Sequence, residues 1–266
     1  GTTFTENFDE LKAPALPSGW SSSVVAGTRA DWVTSTGASD SSPNSAFAVD
    51  AAVAGVNGLV STPIQVNVAG AQLSFRQSYT FETYTPHHGA VRYYDGAVLE
   101  LAIGNGPFTD ILAAGGSFAT GGYNCTLYSN SGNPYGGQPA WGGSSSGWLT
   151  TIVNLPAAAV GQTIRLRWAC ATDTSNSYTA VGWYVDSLSL QELRQFWADR
   201  FGPVPDHRSA DLMRRRIAYA LQVRAYGGLK PETKRRLRQL HEAFTADPAY
   251  TPLPNYGLKP RTMLTR

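Results

Sequence analysis

The fold of the N-terminal part of this chain is decided by one stretch, Thr163-Ile164-Arg165-Leu166-Arg167-Trp168-Ala169-Cys170. Apolar residues alternate in it with two arginines, which is the two-residue period of a β-strand with one face in a core. The buried face of such a strand would carry Ile164, Leu166, Trp168 and Cys170. We therefore expect a half-buried strand that directs its cysteine into the core.

Runs of the same kind lie on both sides of this stretch. They cover residues 4–8, 71–79, 98–103, 149–155 and 181–190, and segments rich in Gly, Pro, Asn and Ser separate them. Many short strands between turn-forming residues, without a helical period, are typical of a β-sandwich. We expect its core to contain the four tryptophans that lie in or beside apolar strands, Trp20, Trp32, Trp168 and Trp183.

The composition of the chain changes near Gln191. Residues 1–191 contain 6 Lys and Arg against 12 Asp and Glu, a net charge of −6, whereas residues 192–266 contain 15 against 7, a net charge of +8. The second part also shows apolar residues at helical spacing between arginines. The sequence therefore predicts two domains, 1–191 and 192–266. No apolar run approaches the roughly 18 residues that would span a bilayer.

The second part predicts a small all-α domain of three helices. The first, around residues 193–201, would end at Gly202-Pro203, the second would run from an N-cap at Ser209 to Gly227-Gly228, and the third would begin near Pro231. The apolar positions expected to be buried on the second and third helices are Leu212, Met213, Ile217, Ala220, Leu221, Leu237, Leu240 and Phe244. The last twenty residues contain four prolines and predict an extended tail.

Basic residues form two clusters on the second and third of these helices: Arg214, Arg215 and Arg216, and Lys234, Arg235 and Arg236. Such clusters can contact the phosphates of a nucleic acid. No base-reading motif accompanies them, and the alternative is a solvated helix face that docks onto the acidic first domain or onto a partner.

Short motifs follow one another in order over residues 4–190. They include Glu6-Asn7-Phe8-Asp9, Leu16-Pro17-Ser18-Gly19-Trp20, Asp31-Trp32-Val33, Asp95-Gly96-Ala97-Val98-Leu99-Glu100 and Gly182-Trp183-Tyr184-Val185-Asp186. In these motifs the first part resembles bacterial surface modules related to cleaved-adhesin and MAM domains. The resemblance implies a jelly-roll β-sandwich that serves as an accessory module on secreted or surface-anchored proteins, often with bound calcium and usually without catalysis.

A calcium site is expected around Asp186. Strict alternation places Asp186 on the same face as Leu188 and Leu190, where an ionised carboxylate needs a partner. In such jelly rolls the first and last strands meet, so Asp9 and Asp186 could share an ion, with Asp50 and Asp95 as weaker candidates. Two alternatives stay open: Asp186 pairs with an arginine such as Arg165 or Arg167, or it accepts backbone N–H bonds in a bulge.

The C-terminal part carries a second resemblance. Its motifs are Arg214-Arg215-Arg216-Ile217-Ala218-Tyr219-Ala220-Leu221-Gln222, Ala225-Tyr226-Gly227-Gly228-Leu229 and Thr233-Lys234-Arg235-Arg236-Leu237. On these residues, 193–266 resembles the N-terminal part of a domain of unknown function from phage- and mobile-element-derived bacterial genes that are often encoded near recombinases.

Several aromatic residues of the first part lie in Gly-rich or polar surroundings. Tyr94, Tyr135 and Trp141 lead this group, and an aromatic ring in such a setting can stack on a sugar ring or on a protein surface. Packing onto the sandwich itself is the alternative use of these rings. The two cysteines, Cys125 and Cys170, leave open one disulfide or two free thiols.

The sequence contains no recognisable catalytic constellation. His87 and His88 lie in a turn, and no serine sits in a Gly-x-Ser-x-Gly motif. We therefore expect a non-enzymatic surface or secreted module that binds a glycan or a protein and carries a basic helical appendage. The alternatives are an intracellular, nucleic-acid-associated phage or mobile-element protein and an accessory domain of a secreted hydrolase.

Overall fold

The chain folds into an antiparallel β-sandwich followed by helices. The structure is a computed structural model that describes residues 2–175, 180–192 and 210–246. The strands are β1 (Thr2–Glu6), β2 (Ser21–Gly27), β3 (Val33–Ser35), β4 (Ser45–Val49), β5 (Gly55–Val60), β6 (Ile64–Gln65), β7 (Ala71–Thr80), β8 (Thr83–Tyr84), β9 (Arg92–Tyr93), β10 (Gly96–Ile103), β11 (Thr109–Asp110), β12 (Ser117–Thr120), β13 (Cys125–Thr126), β14 (Pro139–Gly142), β15 (Leu149–Asn154), β16 (Thr163–Thr172) and β17 (Gly182–Glu192).

Two large sheets and one small hairpin make up the sandwich. The first sheet has the order β12-β15-β7-β17-β4-β3, with β1 added along β17, and we call it sheet A. The second, sheet B, has the order β13-β14-β10-β16-β5-β2, with β11 beside β10 and β6 beside β16. Strands β8 and β9 form a separate hairpin. All six predicted strands are present, and the first and last strands meet as the resemblance implied.

Aromatic side chains fill the space between the two sheets. Trp20, Trp32, Trp168 and Trp183 are all buried, as predicted. Phe75 of β7 meets the ring of Trp168 edge-on at 5.8 Å between centroids, an arrangement that aromatic pairs favour. Cys170 is also in this core, on the predicted face of β16. Cys170 and the half-buried Cys125 are both free thiols, so the disulfide alternative is not realised.

The central strands of sheet B are buried on both faces. A second, smaller apolar cluster lies outside the main core and consists of Val56, Val98, Leu127, Ala140, Ala169 and Ala171. Half-buried Tyr93, Cys125 and Tyr135 pack against it. The segment around β13 and β14 therefore covers this side of the sheet.

Strand β17 begins at a glycine for a steric reason. Gly182 has a φ of 127°, and a Cβ atom there would lie 2.1 Å from the carbonyl oxygen of Ala48. No other residue fits that approach. Farther along, the register of β17 against β7 shifts between Asp186 and Ser189, and Ser187 has a φ of 50°. This is a β-bulge, which re-aims the side chains on either side of it.

A second compact unit begins at Arg214, within the first of the two helices, and contains the rest of that helix and the whole of the other. Helix α1 spans Ala210–Tyr226 and α2 spans Pro231–Ala246. Gly227 has a φ of 82° just after α1, as expected of a glycine that ends a helix. The predicted helix at 193–201 and the predicted tail at 247–266 lie outside the described residues.

Burial on the helices agrees with the prediction only in part. Ile217 is buried and Leu240 is half-buried, but Leu221 and Leu237 are exposed, Leu237 by 51%. The prediction was wrong for these two leucines because helical spacing gives a stripe, whereas burial also needs an element that covers it. No helix of the described residues is long and apolar enough to cross a membrane.

Candidate functional site

Four acidic residues meet at one end of the sandwich. Asp50 directly follows β4, Asp173 directly follows β16, Glu82 lies between β7 and β8, and Asp95 directly precedes β10. β4 and β7 belong to sheet A, whereas β10 and β16 are neighbours in sheet B, so these residues join the ends of both sheets. We call Asp50, Glu82, Asp95 and Asp173 the carboxylate cluster.

The members of the carboxylate cluster are close together and mostly buried. Oxygens of Glu82, Asp95 and Asp173 all lie within 4.8 Å of one another, and the Asp50 carboxyl contacts that of Asp95. Asp50, Asp95 and Asp173 are buried, and Glu82 is half-buried. Aspartates are rarely buried unless a partner compensates their charge, and three are buried here.

Backbone and hydroxyl donors hold the carboxylate cluster in place. The Glu82 N–H donates to Asp50 Oδ2 at 2.9 Å, and the Asp173 N–H donates to Asp95 Oδ1 at 2.6 Å. The Ser175 hydroxyl donates at 2.9 Å to Glu82 Oε2 or at 2.8 Å to Asp173 Oδ1. Asp95 Oδ2 accepts no hydrogen bond from any donor among the described residues.

The electrostatics of the carboxylate cluster disfavour full ionisation. Burial raises the pKa of Asp95, and the neighbouring charges of Asp50 and Asp173 raise it further. Burial also raises the pKa of Asp50. None of the ion pairs found among the described residues includes Glu82, Asp95 or Asp173. The site would therefore be stabilised by a positive charge.

A solvent-exposed hairpin starts and ends at the carboxylate cluster. Its strands β8 and β9 lie between Glu82 and Asp95, and the Tyr94 N–H donates to the Glu82 carbonyl at 3.2 Å. Tyr84 on β8 stands directly opposite Arg92 on β9, so the two side chains share one face. The cluster therefore forms the base of this hairpin.

Aromatic rings continue from this hairpin onto the neighbouring loop. The Arg92 guanidinium lies 4.8 Å from the centre of the Tyr128 ring, and Tyr128 meets Tyr94 edge-on at 5.6 Å. Tyr84 is 50% exposed, and Tyr94 and Tyr128 are partly exposed. We call Tyr84, Arg92, Tyr94 and Tyr128 the aromatic row. Its rings offer apolar faces and its arginine and phenols offer hydrogen-bond groups, a mixture suited to a ligand that is partly apolar and partly hydroxylated.

Of the three aromatic residues proposed from sequence as ligand contacts, one belongs to this row. Tyr94 is part of it. Trp141 was wrongly chosen: it is completely buried, and its indole N–H donates to the Gly121 carbonyl at 2.9 Å. Tyr135 is half-buried, and its hydroxyl donates to Glu100 Oε1 at 2.7 Å. Tyr84 and Tyr128 were not among the three aromatic residues predicted from the sequence as ligand contacts.

The predicted site at Asp9 and Asp186 is organised differently from the prediction. Asp186 is buried as expected, but five donors from Asp40, Ser41 and Ser187 satisfy its oxygens. This is the bulge alternative. The arginine alternative is not realised, because none of the ion pairs found among the described residues includes Asp186, and Arg167 pairs with Glu100. Asp9 accepts bonds from the Asn44 backbone and the Asn7 amide. The reason for expecting an ion at Asp186 is thereby removed.

The basic residues of the helices are exposed where the structure describes their side chains. Arg215, Arg216, Lys234 and Arg235 all face water. The side chains of Arg214 and Arg236 lie outside the described ones. His87 and His88 are exposed, and the centres of their rings lie 4.7 Å apart. No hydrogen bond found among the described residues joins either histidine to a serine or a carboxylate.

Comparisons with known proteins add a family match for the C-terminal part. The model of a family described as "Protein of unknown function (DUF2924)" matches residues 184–266. That range begins within β17 and includes both helices, in agreement with the resemblance of this part to a domain of unknown function. No curated protein matches the chain.

The sandwich resembles several solved structures at low identity. The K1 and K3 cleaved adhesin domains of Lys-gingipain from Porphyromonas gingivalis W83 match with 13% and 15% identity and TM-scores of 0.41 and 0.42, over 72% of this chain and 98% and 99% of theirs. A xylan-binding domain from CBM 22 matches with 12% identity and a TM-score of 0.37, over 71% of this chain and 94% of that domain.

Proposed function

We propose that the β-sandwich is a non-enzymatic binding module whose ligand surface is the aromatic row, and that its ligand is a glycan. The observation that carries this proposal is the continuous contact of Tyr94, Tyr128 and Arg92 beside the exposed Tyr84. A sugar presents an apolar face and a rim of hydroxyls, and the row offers rings for the first and donors for the second.

The aromatic row is prepared for binding before a ligand arrives. The guanidinium of Arg92 rests on Tyr128, and the Tyr128 N–H donates to the Tyr93 carbonyl at 2.7 Å. Side chains that are already held in place lose less conformational entropy on binding. The row therefore has the properties of a recognition surface rather than of a catalytic cleft, and we assign it no reaction.

The proposal is tested by screening the full chain on a glycan array and measuring affinities for the sugars that bind. Replacing Tyr84 by Ala removes an exposed ring without opening the core. An aromatic residue that anchors a ligand typically contributes about 2 kcal/mol or more, so with Tyr84 as such an anchor the affinity should fall by about tenfold or more. The matched control is Tyr219→Ala on helix α1, where a tyrosine of similar exposure should not affect binding.

Two results would argue against this function. If no glycan binds, and a protein ligand found by cross-linking loses affinity in Tyr84→Ala, the surface is correct and the ligand class is a protein. If Tyr84→Ala and Tyr219→Ala bind like the unmodified chain, the aromatic row is not the ligand surface. A module of this kind would act outside the cell or at its surface, which fractionation of the native host would test.

As the alternative function, we propose that the protein binds nucleic acid through phosphate contacts of its helical unit. The exposed guanidinium and ammonium groups of Arg215, Arg216, Lys234 and Arg235 favour it, because exposed basic clusters supply charge without reading bases. Under this alternative the protein would act inside the cell. If the helices bind through phosphates, nucleic-acid affinity should fall steeply with salt concentration.

A further inference from the structure

We propose that a groove at the far end of sheet B binds a sugar that carries a carboxylate, and that Arg165 recognises the carboxylate. The groove has a volume of about 350 Å³, and the residues that line it include Gly104, Asn105, Gly161, Gln162 and Arg165. We call it the arginine groove. It lies where β10 ends and β16 begins, whereas the aromatic row borders the start of β10, roughly 25 Å away by the rise of an extended strand. One sugar ring therefore cannot reach both sites.

Arg165 offers a positive charge that no partner neutralises. The alternation of β16 places Arg165 and Arg167 on the outer face of sheet B, opposite the core residues of the same strand. Arg167 is engaged, because its Nε donates to Glu100 Oε2 and its guanidinium lies 4.2 Å from the centre of the Phe108 ring. Arg165 is exposed, and no hydrogen bond or ion pair found among the described residues includes its side chain. None of the residues that line the groove is acidic.

Two glycines keep the arginine groove open. Gly104 has a φ of 57° and Gly161 a φ of 76°. A Cβ atom at Gly161 would meet no atom within 4 Å, and one at Gly104 would lie 3.8 Å from Gln162 Oε1. Backbone hydrogen bonds fix both turns: the Gly104 N–H donates to the Thr163 carbonyl and the Gly161 N–H to the Val66 carbonyl, each at 2.8 Å. The groove is therefore formed before a ligand arrives, as small-molecule sites usually are.

The groups in the arginine groove match the two kinds of group on an acidic sugar. The planar guanidinium of Arg165 can donate to both oxygens of a carboxylate at once. The side-chain amides of Asn105 and Gln162 are exposed and make no hydrogen bond found among the described residues, and an amide can both donate to and accept from sugar hydroxyls. A uronic acid carries a carboxylate and hydroxyls on one ring.

The size of the arginine groove favours a compact ligand. Its volume lies near the lower end of the range for small-molecule sites, about 300–1,000 Å³. A single acidic sugar ring suits this volume better than an extended acidic peptide, which would reach beyond the groove. Acidic peptide binding and binding of any small anion are the two alternatives that the experiment must separate.

The experiment titrates the ¹⁵N-labelled full chain with sodium glucuronate and, separately, with glucose, which has a hydroxymethyl group in place of the carboxylate. We expect saturable amide shift changes at residues 104–106 and 161–165, and at least tenfold weaker binding of glucose. Arg165→Ala should bind glucuronate at least tenfold more weakly, because it removes charge-assisted hydrogen bonds. Since Arg165 is exposed and unpaired, this variant should keep the thermal midpoint of the unmodified chain.

The matched control is Arg29→Ala, which removes the same charge from an exposed arginine that follows β2. It should bind glucuronate like the unmodified chain. Gly104→Asn should weaken glucuronate binding while the backbone keeps its turn, because asparagine tolerates a positive φ and adds a side chain at the groove. Tyr84→Ala should not change glucuronate affinity, so failure at the aromatic row and failure at the arginine groove are measured independently.

Any of three outcomes would overturn the acidic-sugar site. Acetate that binds as tightly as glucuronate, with the same shift changes, would mean an adventitious ion only. Tighter binding of N-acetylglutamate than of glucuronate would assign the groove to acidic peptides. The third is the absence of saturable changes at residues 104–106 and 161–165, or a glucuronate affinity that Arg165→Ala leaves unchanged.

Discussion

Replacing Tyr135 by Phe should destabilise the sandwich without affecting its ligand surface. The Tyr135 hydroxyl donates to Glu100 Oε1 at 2.7 Å, and the other oxygen of Glu100 accepts from Arg167 Nε at 2.5 Å. Burial raises the pKa of Tyr135, so the phenol is protonated and donating at neutral pH. A hydrogen bond to a charged group contributes about 1.5–3 kcal/mol, and for a half-buried phenol we expect the lower part of that range, about 1.5–2 kcal/mol.

The assay is urea unfolding followed by tryptophan fluorescence. All but one of the seven tryptophans precede residue 193, so the signal reports on the sandwich. A loss of about 1.5–2 kcal/mol corresponds to a thermal midpoint about 3–8 °C lower. Tyr84→Phe, which alters an exposed hydroxyl, should change stability by less than about 0.5 kcal/mol. A Tyr135→Phe variant as stable as the unmodified chain, or one with lower ligand affinity, would refute the structural role assigned to Tyr135.

The remaining predictions concern the bulge, the cysteines and the helices. Asp186→Asn should lower the free energy of unfolding by about 2–3 kcal/mol, measured in urea, because an amide cannot accept bonds at both ends from the donors around Asp186. Burial raises the pKa of Cys125 to about 12, so its thiol stays protonated and should react slowly with a disulfide reagent at pH 8, and Cys170 should react only after unfolding. If the helices bind duplex DNA through phosphates, replacing Lys234 and Arg235 by Ala should reduce the slope of log K against log salt by about 1.8, equally for unrelated sequences.

The strands could be predicted because their signal is local. Alternation with a period of two is visible within eight residues of β16, and it placed Cys170 on the correct face. Asp186 is buried as predicted, but the bulge breaks the alternation, so Asp186 lies opposite Arg76 on the other face of β17 from Leu188 and Leu190. The alternation could not predict what satisfies Asp186, since the donors at Asp40 and Ser41 approach from a segment 145 or more residues earlier in the chain.

The carboxylate cluster was only half visible in the sequence. Asp50 and Asp95 were weak metal candidates, whereas Glu82 and Asp173 were not among the metal candidates. Each of the four lies within two residues of a strand end, which is the signal that could have found them. Their convergence, however, depends on how the two sheets are connected, and residue spacing along the chain does not contain that information.

Trp141 was predicted to be a ligand contact at the surface, but the structure buries it completely. Its Gly-rich neighbours suggested a surface ring, but it packs edge-on against Phe75 at 6.0 Å and close to Trp183 at 5.8 Å. These partners lie on sheet A, whereas Trp141 lies on β14 of sheet B. Burial of a large ring is decided by such long-range contacts rather than by the polarity of its sequence neighbours.

The most direct test of the central claim, that the aromatic row binds the ligand, is a map of amide chemical-shift changes in the ¹⁵N-labelled full chain on titration with a glycan that the array identifies. We expect the largest changes at residues 83–94 and at Leu127 and Tyr128, which border the row. Changes confined to the groove lined by Asn105, Gln162 and Arg165, with the hairpin unaffected, would contradict it.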